Sequence, residues 1–203
     1  MKIELTTEEK IIEAAREIFF KKGLDGARMQ EIADLAGINK ALLHYYFRSK
    51  EKLFEAIVTK ATGEFFPVIF ATWSMDIPFE AKIYTFTEKY INFLTKNPFI
   101  PIFVINLIHQ NPEKVLSLMN FDKLPLKANP SAQIESEVKA GNIRDVDWRQ
   151  IIISIISLSV FPFIGSPMLK MIFALDQNEF NKLMEERKII IPKMIMAWLK
   201  SEQ

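Results

Sequence analysis

Residues 28–47 read RMQEIADLAGINKALLHYYF, and this stretch decides the fold. Apolar residues recur at helical spacing on both sides of Gly37, which predicts two short helices joined by a tight turn. Ala33 and Gly37 are small where the two helices must cross closely, as a helix-turn-helix requires. Leu43 and Phe47 are four positions apart and are expected to face the interior together.

The opposite face of the second short helix has a composition suited to DNA. The residues expected to point outward are Lys40, Ala41, His44 and Tyr45, with Leu42 at the edge. Residues 38–50 contain no carboxylate, and Asn39 precedes the helix as a capping residue. Such a face suits a phosphate-lined major groove. Helix pairs with a glycine turn are also common in all-α proteins, so periodicity alone leaves a purely structural role open.

The composition limits the other classes of function. The chain has 203 residues, 26 Lys+Arg against 25 Asp+Glu, two His and no Cys, with a formal net charge of +1. Cysteine chemistry is excluded, a metal site is not expected, and any case for nucleic-acid binding must be local. We find no pairing of nucleophile and base, no phosphate loop and no cofactor motif, so we expect no enzyme and no cofactor. A polar start and no long apolar segment predict a cytoplasmic protein that binds no membrane.

Helix start and stop signals divide the rest of the chain. Thr6 and Glu9 form a predicted capping box, and Gly23 ends the first helix. Ser49 is predicted to cap a long fourth helix that Pro67 kinks or ends, and Pro192 should kink the last helix. Further starts are predicted at three Asn-Pro pairs (97–98, 111–112 and 129–130) and at Asp147 and Asp176. We therefore predict an all-α fold of about nine helices, with a helix-turn-helix domain over 1–52 and a larger helical domain over 53–203.

Three stretches of the sequence resemble a known family. Residues 19–23 (FFKKG), 32–39 (IADLAGIN) and 43–53 (LHYYFRSKEKL) are similar to the DNA-binding domain of TetR-family transcriptional regulators. The resemblance is contiguous over residues 7–54, about a quarter of the chain. It implies a homodimer that binds double-stranded DNA at a palindromic operator, in most cases as a repressor released by a small molecule.

The sequence departs from the family at positions that meet DNA. Leu42 stands where the family usually has Thr, His44 where it often has Tyr, and Ala27-Arg28 where it favours Thr-Thr. These departures affect which DNA bases the protein is expected to prefer. We predict base-edge contacts from Lys40, Tyr45 and Gln30, with close approach at Ala41. The other predicted DNA-binding residues are Arg28, Asn39, Leu42, His44, Tyr46 and Lys50. For one of the two tyrosines, Tyr45 or Tyr46, the alternative to DNA contact is packing against neighbouring aromatic rings.

The larger domain is rich in aromatic residues and poor in charge. For most of these residues a place in the core is the simpler interpretation. The resemblance implies an effector cavity in this region, and therefore an apolar or aromatic small-molecule partner. The predicted pocket residues are Phe66, Phe70, Trp73, Tyr90, Phe93, Phe103 and His109.

The last two long helical segments are apolar around much of their circumference. A partner surface is the simplest way to cover them, and the resemblance implies a four-helix dimer interface here. The predicted interface residues are Ile152, Ile156, Ile190, Ile195 and Trp198. The alternative functions left open are a helical interaction module, or an activator, with weakened DNA binding.

Overall fold

The computed structural model describes residues 5–110, 113 and 131–201, except for the side chains of residues 106, 107 and 110. The described part of the chain forms ten helices and no strand, which confirms the all-α class; about nine helices were predicted. The helices are α1 (Thr7–Gly26), α2 (Met29–Ala36), α3 (Lys40–Tyr46), α4 (Lys50–Ser74), α5 (Phe79–Lys96), α6 (Ile100–Gln110), α7 (Ser131–Lys139), α8 (Trp148–Ile164), α9 (Ser166–Ile172) and α10 (Gln177–Lys200).

Contacts divide the chain into two compact units. The first comprises residues 1–64 and 102–122, and the second comprises residues 65–101 and 123–203. The division falls within α4, which is continuous beyond the boundary predicted between residues 52 and 53. That boundary remains a prediction about where the DNA-binding domain ends.

The first unit is built from the predicted start and stop signals. Thr6 and Glu9 form the capping box of α1, with the Glu9 amide donating to the Thr6 hydroxyl at 3.2 Å. Gly23 interrupts α1 with a φ of 67°, a left-handed value that glycine adopts without steric cost. The side chain of Phe19 is fully buried and meets the ring of Phe54 edge-on, with centroids 4.8 Å apart. This contact fastens α1 to the start of α4.

The core of the second unit is formed mainly where α5 packs against α8 and α10. Two of these helices begin at predicted caps: Asp176 begins α10 and forms a capping box with Glu179, and Asp147 begins α8, where its side chain accepts from the Arg149 amide. The most deeply buried residues of this core are Ile83, Ile91, Leu94, Ile151, Ile155, Ile191 and Leu199.

One predicted helix start needs correction, and one alternative at Pro67 is excluded. Asn97 was expected to start a helix but instead ends α5, where its Nδ2 donates to the Phe93 carbonyl at 3.0 Å. Its Oδ1 is buried without a hydrogen bond, whereas an N-cap would use that atom to accept from a backbone amide. Of the two alternatives predicted at Pro67, an end of the helix is excluded, because α4 continues to Ser74. The Asn-Pro pairs at 111–112 and 129–130 lie outside the described residues.

No single helix in the described part of the chain is long and apolar enough to span a membrane. Helices α8 and α9 meet the length and hydropathy criteria only when taken together, across a bend of 69°. Helix α8 contributes Ile151, Ile155 and Phe163 to the core of the second unit, so one side of this pair is already covered by protein.

Candidate nucleic-acid interface

The turn between α2 and α3 has the geometry of a helix-turn-helix. Gly37 ends α2 in the left-handed conformation, with φ 69° and ψ 30°, and the Ile38 amide donates to the Ala33 carbonyl at 3.0 Å. Asn39 then caps α3: its Oδ1 accepts from the Leu42 amide at 2.7 Å. Only three residues separate the two helices, so the backbone direction of α3 is fixed closely by α2.

The inner face of α3 is held by the core of the first unit. Leu43 is fully buried, as are Ile32 and Ala33 of α2, and Phe47 is buried just after α3 ends. Since residues 43 and 47 lie on one side of the helix, the opposite side must face away from the core.

The outer face of α3 is exposed as predicted. Lys40, Ala41 and His44 are exposed, and 83 % of the Tyr45 surface is accessible. Tyr46 is less exposed because its ring lies between those of Tyr45 and Phe47, at centroid distances of 5.7 and 6.5 Å. Of the two tyrosines, Tyr46 therefore packs more and Tyr45 is the more exposed, and the DNA contacts of both remain predictions.

The charged residues of α3 and of the turn after it are positive. Lys40 and Arg48 are exposed. Glu31 of α2 pairs with Lys22 at 2.9 Å, and the Lys22 ammonium lowers the pKa of the Glu31 carboxyl. Residues 38–50, which include α3, contain no carboxylate. This composition favours contact with phosphates.

Besides Asn39, three predicted DNA-binding side chains have polar contacts within the protein. The Gln30 Nε2 donates to Asp34 at 2.8 Å, and the His44 Nδ1 lies 3.3 Å from the Arg48 carbonyl oxygen. Lys50 is half-buried, and its ammonium donates to the carbonyl oxygens of Asp25 and Ala27 at 3.0 and 3.4 Å. Lys50 therefore has a structural role in tying the start of α4 to the connection between α1 and α2, which the sequence did not reveal. Arg28 is exposed.

Several of the predicted pocket residues meet in the second unit. The ring of Phe65 stacks on those of Phe93 and Tyr90, with centroids 4.1 and 5.5 Å apart, and it also contacts Phe66. Trp73 is buried and packs on Phe86. Burial raises the pKa of the Tyr90 hydroxyl, so this hydroxyl stays protonated and can donate a hydrogen bond.

The remaining pocket residues are placed differently. Phe70 is half-buried on α4. Phe103 and His109 belong to the first unit, where Phe103 packs against Phe54 at 4.4 Å and His109 is exposed. An exposed histidine is not the buried polar contact expected of His109. The structure thus brings together Phe66, Tyr90 and Phe93.

The predicted dimer residues divide between the surface and the interior. Ile156, Ile190 and Trp198 are exposed on α8 and α10. Ile195 is only 4 % exposed, and Ile152 packs against the core of its own unit. The prediction that Ile195 lies in the dimer interface is corrected, because its side chain is buried in the core of its own unit. Other exposed apolar residues of this region are Ile153, Phe161, Met168, Met171, Ile172, Phe173, Leu183, Ile189 and Met194.

Comparison with known proteins agrees with this geometry. Residues 11–57 match the family model described as bacterial regulatory proteins, tetR family. The transcriptional repressor NicS of Pseudomonas putida is 39% identical over 59 residues, which cover 29% of this chain and 28% of the relative. The transcriptional regulator RutR of Escherichia coli K12 is 46% identical over 48 residues, 24% of this chain and 23% of the relative. These alignments span less than a third of the curated relatives.

Solved structures extend the likeness to the whole chain. The fatty acid degradation regulator FadR of Bacillus halodurans superimposes with a TM-score of 0.64 at 16% sequence identity, covering 99% of this chain and 100% of that chain. At this identity the superposition shows a shared fold. The matched sequence, residues 11–57, contains the helix-turn-helix and the exposed face of α3.

Proposed function

We propose that the chain is a TetR-family transcriptional regulator that binds double-stranded DNA as a homodimer, because residues 11–57 match the model of that family. In this proposal it acts as a repressor that an apolar or aromatic small molecule releases from a palindromic operator. The family consists of DNA-binding regulators, in agreement with the expectation that the chain is not an enzyme.

The observation that carries the proposal is the exposed, acid-free face of α3. Lys40, Ala41 and Tyr45 share this face, and Tyr45 is the most exposed of its aromatic residues. Lysine can contact a phosphate or a guanine edge, and a small side chain at Ala41 allows the helix to enter the groove closely. Leu42, at the edge of the face, can contact a thymine methyl but cannot donate to a phosphate.

A two-fold dimer would present two copies of this face to DNA. Two recognition helices separated by about one helical turn of DNA, ~34–36 Å, read two half-sites of opposite orientation. The exposed apolar residues Ile156, Ile190 and Trp198 on α8 and α10 support an interface between copies in the second unit.

The aromatic cluster of the second unit supports the effector part of the proposal. Phe66, Tyr90 and Phe93 offer apolar surface, and no described residue forms a hydrogen bond with the Tyr90 hydroxyl. An apolar ligand with one hydrogen-bond acceptor matches this arrangement.

Helix α4 is the proposed lever of the switch. It runs without interruption from Lys50, next to the helix-turn-helix, to Ser74, next to the aromatic cluster. An effector that binds better to the conformation with misaligned recognition helices shifts the population toward that conformation and releases DNA.

The DNA-binding part is tested by titrating the DNA upstream of the gene with the purified protein at two salt concentrations. Lys40→Glu is the test variant and Lys10→Glu the matched control, since Lys10 is an exposed lysine of the first unit outside the α3 face. We expect Lys40→Glu to weaken binding strongly and Lys10→Glu to have little effect. Equal losses for both variants would show that binding depends on overall charge, and no binding by the wild type would favour an interaction module.

The switch is tested with the DNA complex and an aromatic probe, for which naphthol is suitable because it combines an apolar ring with a polar oxygen. Tryptophan quenching that is lost in a Trp73→Phe variant reports entry into the cluster. A probe that binds tightly but leaves the affinity for DNA unchanged would contradict the lever mechanism.

A further inference from the structure

One ring nitrogen of His44 contacts the protein and the other does not. The residue lies on the exposed face of α3, one helical turn after Lys40. Its Nδ1 lies 3.3 Å from the carbonyl oxygen of Arg48, in the turn that follows α3. Its Nε2, on the other side of the ring, has no hydrogen-bond partner among the described residues. The protein therefore orients the imidazole and leaves Nε2 available to a ligand.

The contact with Arg48 decides which nitrogen of the neutral imidazole carries the hydrogen. A carbonyl oxygen only accepts hydrogen bonds, so Nδ1 must be the donor. A neutral imidazole has a single N–H, and its Nε2 is then a bare acceptor. Since a phosphate oxygen is also an acceptor, the neutral ring can donate nothing to it. Protonation adds a hydrogen to Nε2 and a positive charge to the ring, and both favour a phosphate.

No carboxylate of α3 holds a proton on His44 in the protein without DNA. Residues 38–50 contain no acidic residue. The charged residues four positions before and after His44 are Lys40 and Arg48, and both are cations. Like charges disfavour protonation of the imidazole, so an anion supplied from outside α3 is needed to stabilise the imidazolium.

The acidic residues of the neighbouring elements have other partners. The charged residues there are Arg28, Glu31 and Asp34 on α2, which packs against α3, and Lys50, Glu51, Lys52 and Glu55 at the start of α4. Glu31 pairs with Lys22, Asp34 accepts from Gln30, and Glu55 pairs with Lys52. Hydrogen bonds from its own amide and from the Ser49 side chain lower the pKa of the Glu51 carboxyl. His44 forms no ion pair within the part of the chain that the structure describes.

We propose that His44 makes a proton-dependent contact with a DNA phosphate, so that the affinity for DNA rises as the pH falls from about 8 to about 6. Histidine is the side chain whose charge ordinarily changes in this range. The phosphate stabilises the imidazolium in the complex, so binding takes up a proton at Nε2. The gain in affinity is therefore present at the acidic end of the range and is lost as the pH rises and the imidazolium in the complex loses its proton. The inference rests on the proposed DNA binding and adds a regulation of it by pH.

The other contacts proposed for this face do not titrate in the same range. The Lys40 ammonium stays charged well above pH 8, because an unperturbed lysine has a pKa of about 10.4. Tyr45 likewise keeps its proton, since the pKa of an unperturbed tyrosine is about 10. Binding at pH 8 therefore persists through these residues, and the dependence on pH reports His44.

The test is the dissociation constant of the full chain for the DNA upstream of its gene, measured between pH 6 and pH 8 at constant ionic strength. Salt is held constant because it weakens every phosphate contact. Since a dimer carries two copies of His44, we expect the wild type to bind at least about 10-fold more tightly at pH 6 than at pH 8. His44→Gln keeps a hydrogen-bond donor but takes up no proton, so its affinity should change by less than about 3-fold over this range.

The matched control is the other histidine of the chain. His109 is exposed and lies outside α3, so His109→Gln should keep the dependence on pH that the wild type shows. His44→Arg supplies a permanent charge and should bind DNA tightly at both pH values. Circular dichroism and urea unfolding establish that each variant is folded.

The position of the hydrogen in the free protein is a second readout. Nitrogen-15 chemical shifts distinguish an imidazole with Nδ1–H from one with Nε2–H, and the spectrum of His109→Gln identifies the signals of His44. At pH 8 we expect the neutral ring of His44 to carry its hydrogen on Nδ1. A hydrogen on Nε2 would overturn the inference, because the neutral ring could then donate to a phosphate without taking up a proton.

The outcomes separate this inference from the proposed function. If the wild type and His44→Gln change equally with pH, the inference is overturned and DNA binding stands. If His44→Gln loses the same affinity at pH 6 and at pH 8, His44 contacts DNA as a neutral ring, and the proton-dependent contact is again overturned. If the wild type binds the DNA at neither pH, the inference and the DNA-binding proposal both fall.

Discussion

The side-chain oxygen of Asn39 accepts a hydrogen bond from the Leu42 amide at 2.7 Å, and this contact fixes the first turn of α3. The helix is only seven residues long, too short to be stable without its caps and its packing. The exposed face that carries Lys40 and Tyr45 therefore depends on one amide side chain for its starting geometry.

Replacing this cap should separate stability from DNA binding. Asn39→Ala removes the acceptor, and we expect a loss of about 1 kcal/mol in the free energy of unfolding, together with weaker DNA binding. Asn39→Asp caps as well as Asn but adds a negative charge to the DNA face, so it should keep stability and still lose DNA affinity. Urea unfolding and DNA titration of both variants check this. An Asn39→Ala variant that unfolds with the same free energy as the wild type would contradict the role of the cap.

Lys40 and Lys50 should behave differently, although both were predicted to contact DNA. Lys40→Met should leave the melting temperature unchanged and reduce the salt dependence of DNA binding by about one charge per protomer. Lys50→Met should lower the melting temperature, because the carbonyl oxygens of Asp25 and Ala27 lose their donor. Thermal unfolding followed by DNA titration in a salt series measures both effects. Equal melting temperatures for the two variants would show that Lys50 has no structural role.

Lys82 joins α5 to the end of α4 in the second unit. Its side chain is buried, and the ammonium donates to the Trp73 carbonyl at 2.8 Å, where a positive charge also favours the helix C-terminus. We expect Lys82→Met to destabilise the chain by about 1–3 kcal/mol, because the carbonyl is left without a donor. Lys89→Met is the control, since it removes a hydrogen bond to the Thr72 side chain, not to a backbone carbonyl. Urea unfolding gives both values, and a smaller loss for Lys82→Met than for Lys89→Met would contradict this account.

The capping box of α1 should make stability depend on pH. The hydrogen bond from the Thr6 amide lowers the pKa of the Glu9 carboxyl from its usual value of 4.5. A lowered folded-state pKa means that the stabilisation is present above pH 4.5 and is lost as the pH falls through the folded-state pKa. Glu9→Gln has no charge to lose at this position, so the stability advantage of the wild type over it should shrink between neutral and acidic pH. Melting temperatures over this range test it, and a constant difference would contradict the assignment.

Local signals predicted the first unit well. The capping residues Thr6 and Asn39 and the turn glycine Gly37 act through contacts within a few positions, so their roles can be inferred from neighbouring residues alone. The orientation of α3 follows in the same way, because Leu43 and Phe47 lie on one side and the carboxylate-free residues on the other.

Predictions that depended on long-range packing were less successful. Helix α10 is apolar on several sides, and only the positions of α5 and α8 decide that Ile195 is buried while Ile190 is exposed. The amide of Asn97 can cap either end of a helix, and the length of α5 decides which end it serves. The inward turn of Lys50 depends on carbonyl groups more than twenty residues away. Periodicity within one helix carries none of this information.

The most direct test of the central claim is a footprint of the protein on the DNA upstream of its gene, at low and at physiological salt, with Lys40→Glu beside the wild type. We predict two protected half-sites related by two-fold symmetry about one helical turn apart, salt-sensitive binding and loss of protection with Lys40→Glu. Weak protection that is equal on unrelated DNA and unaffected by Lys40→Glu would contradict the account of α3 as the recognition helix.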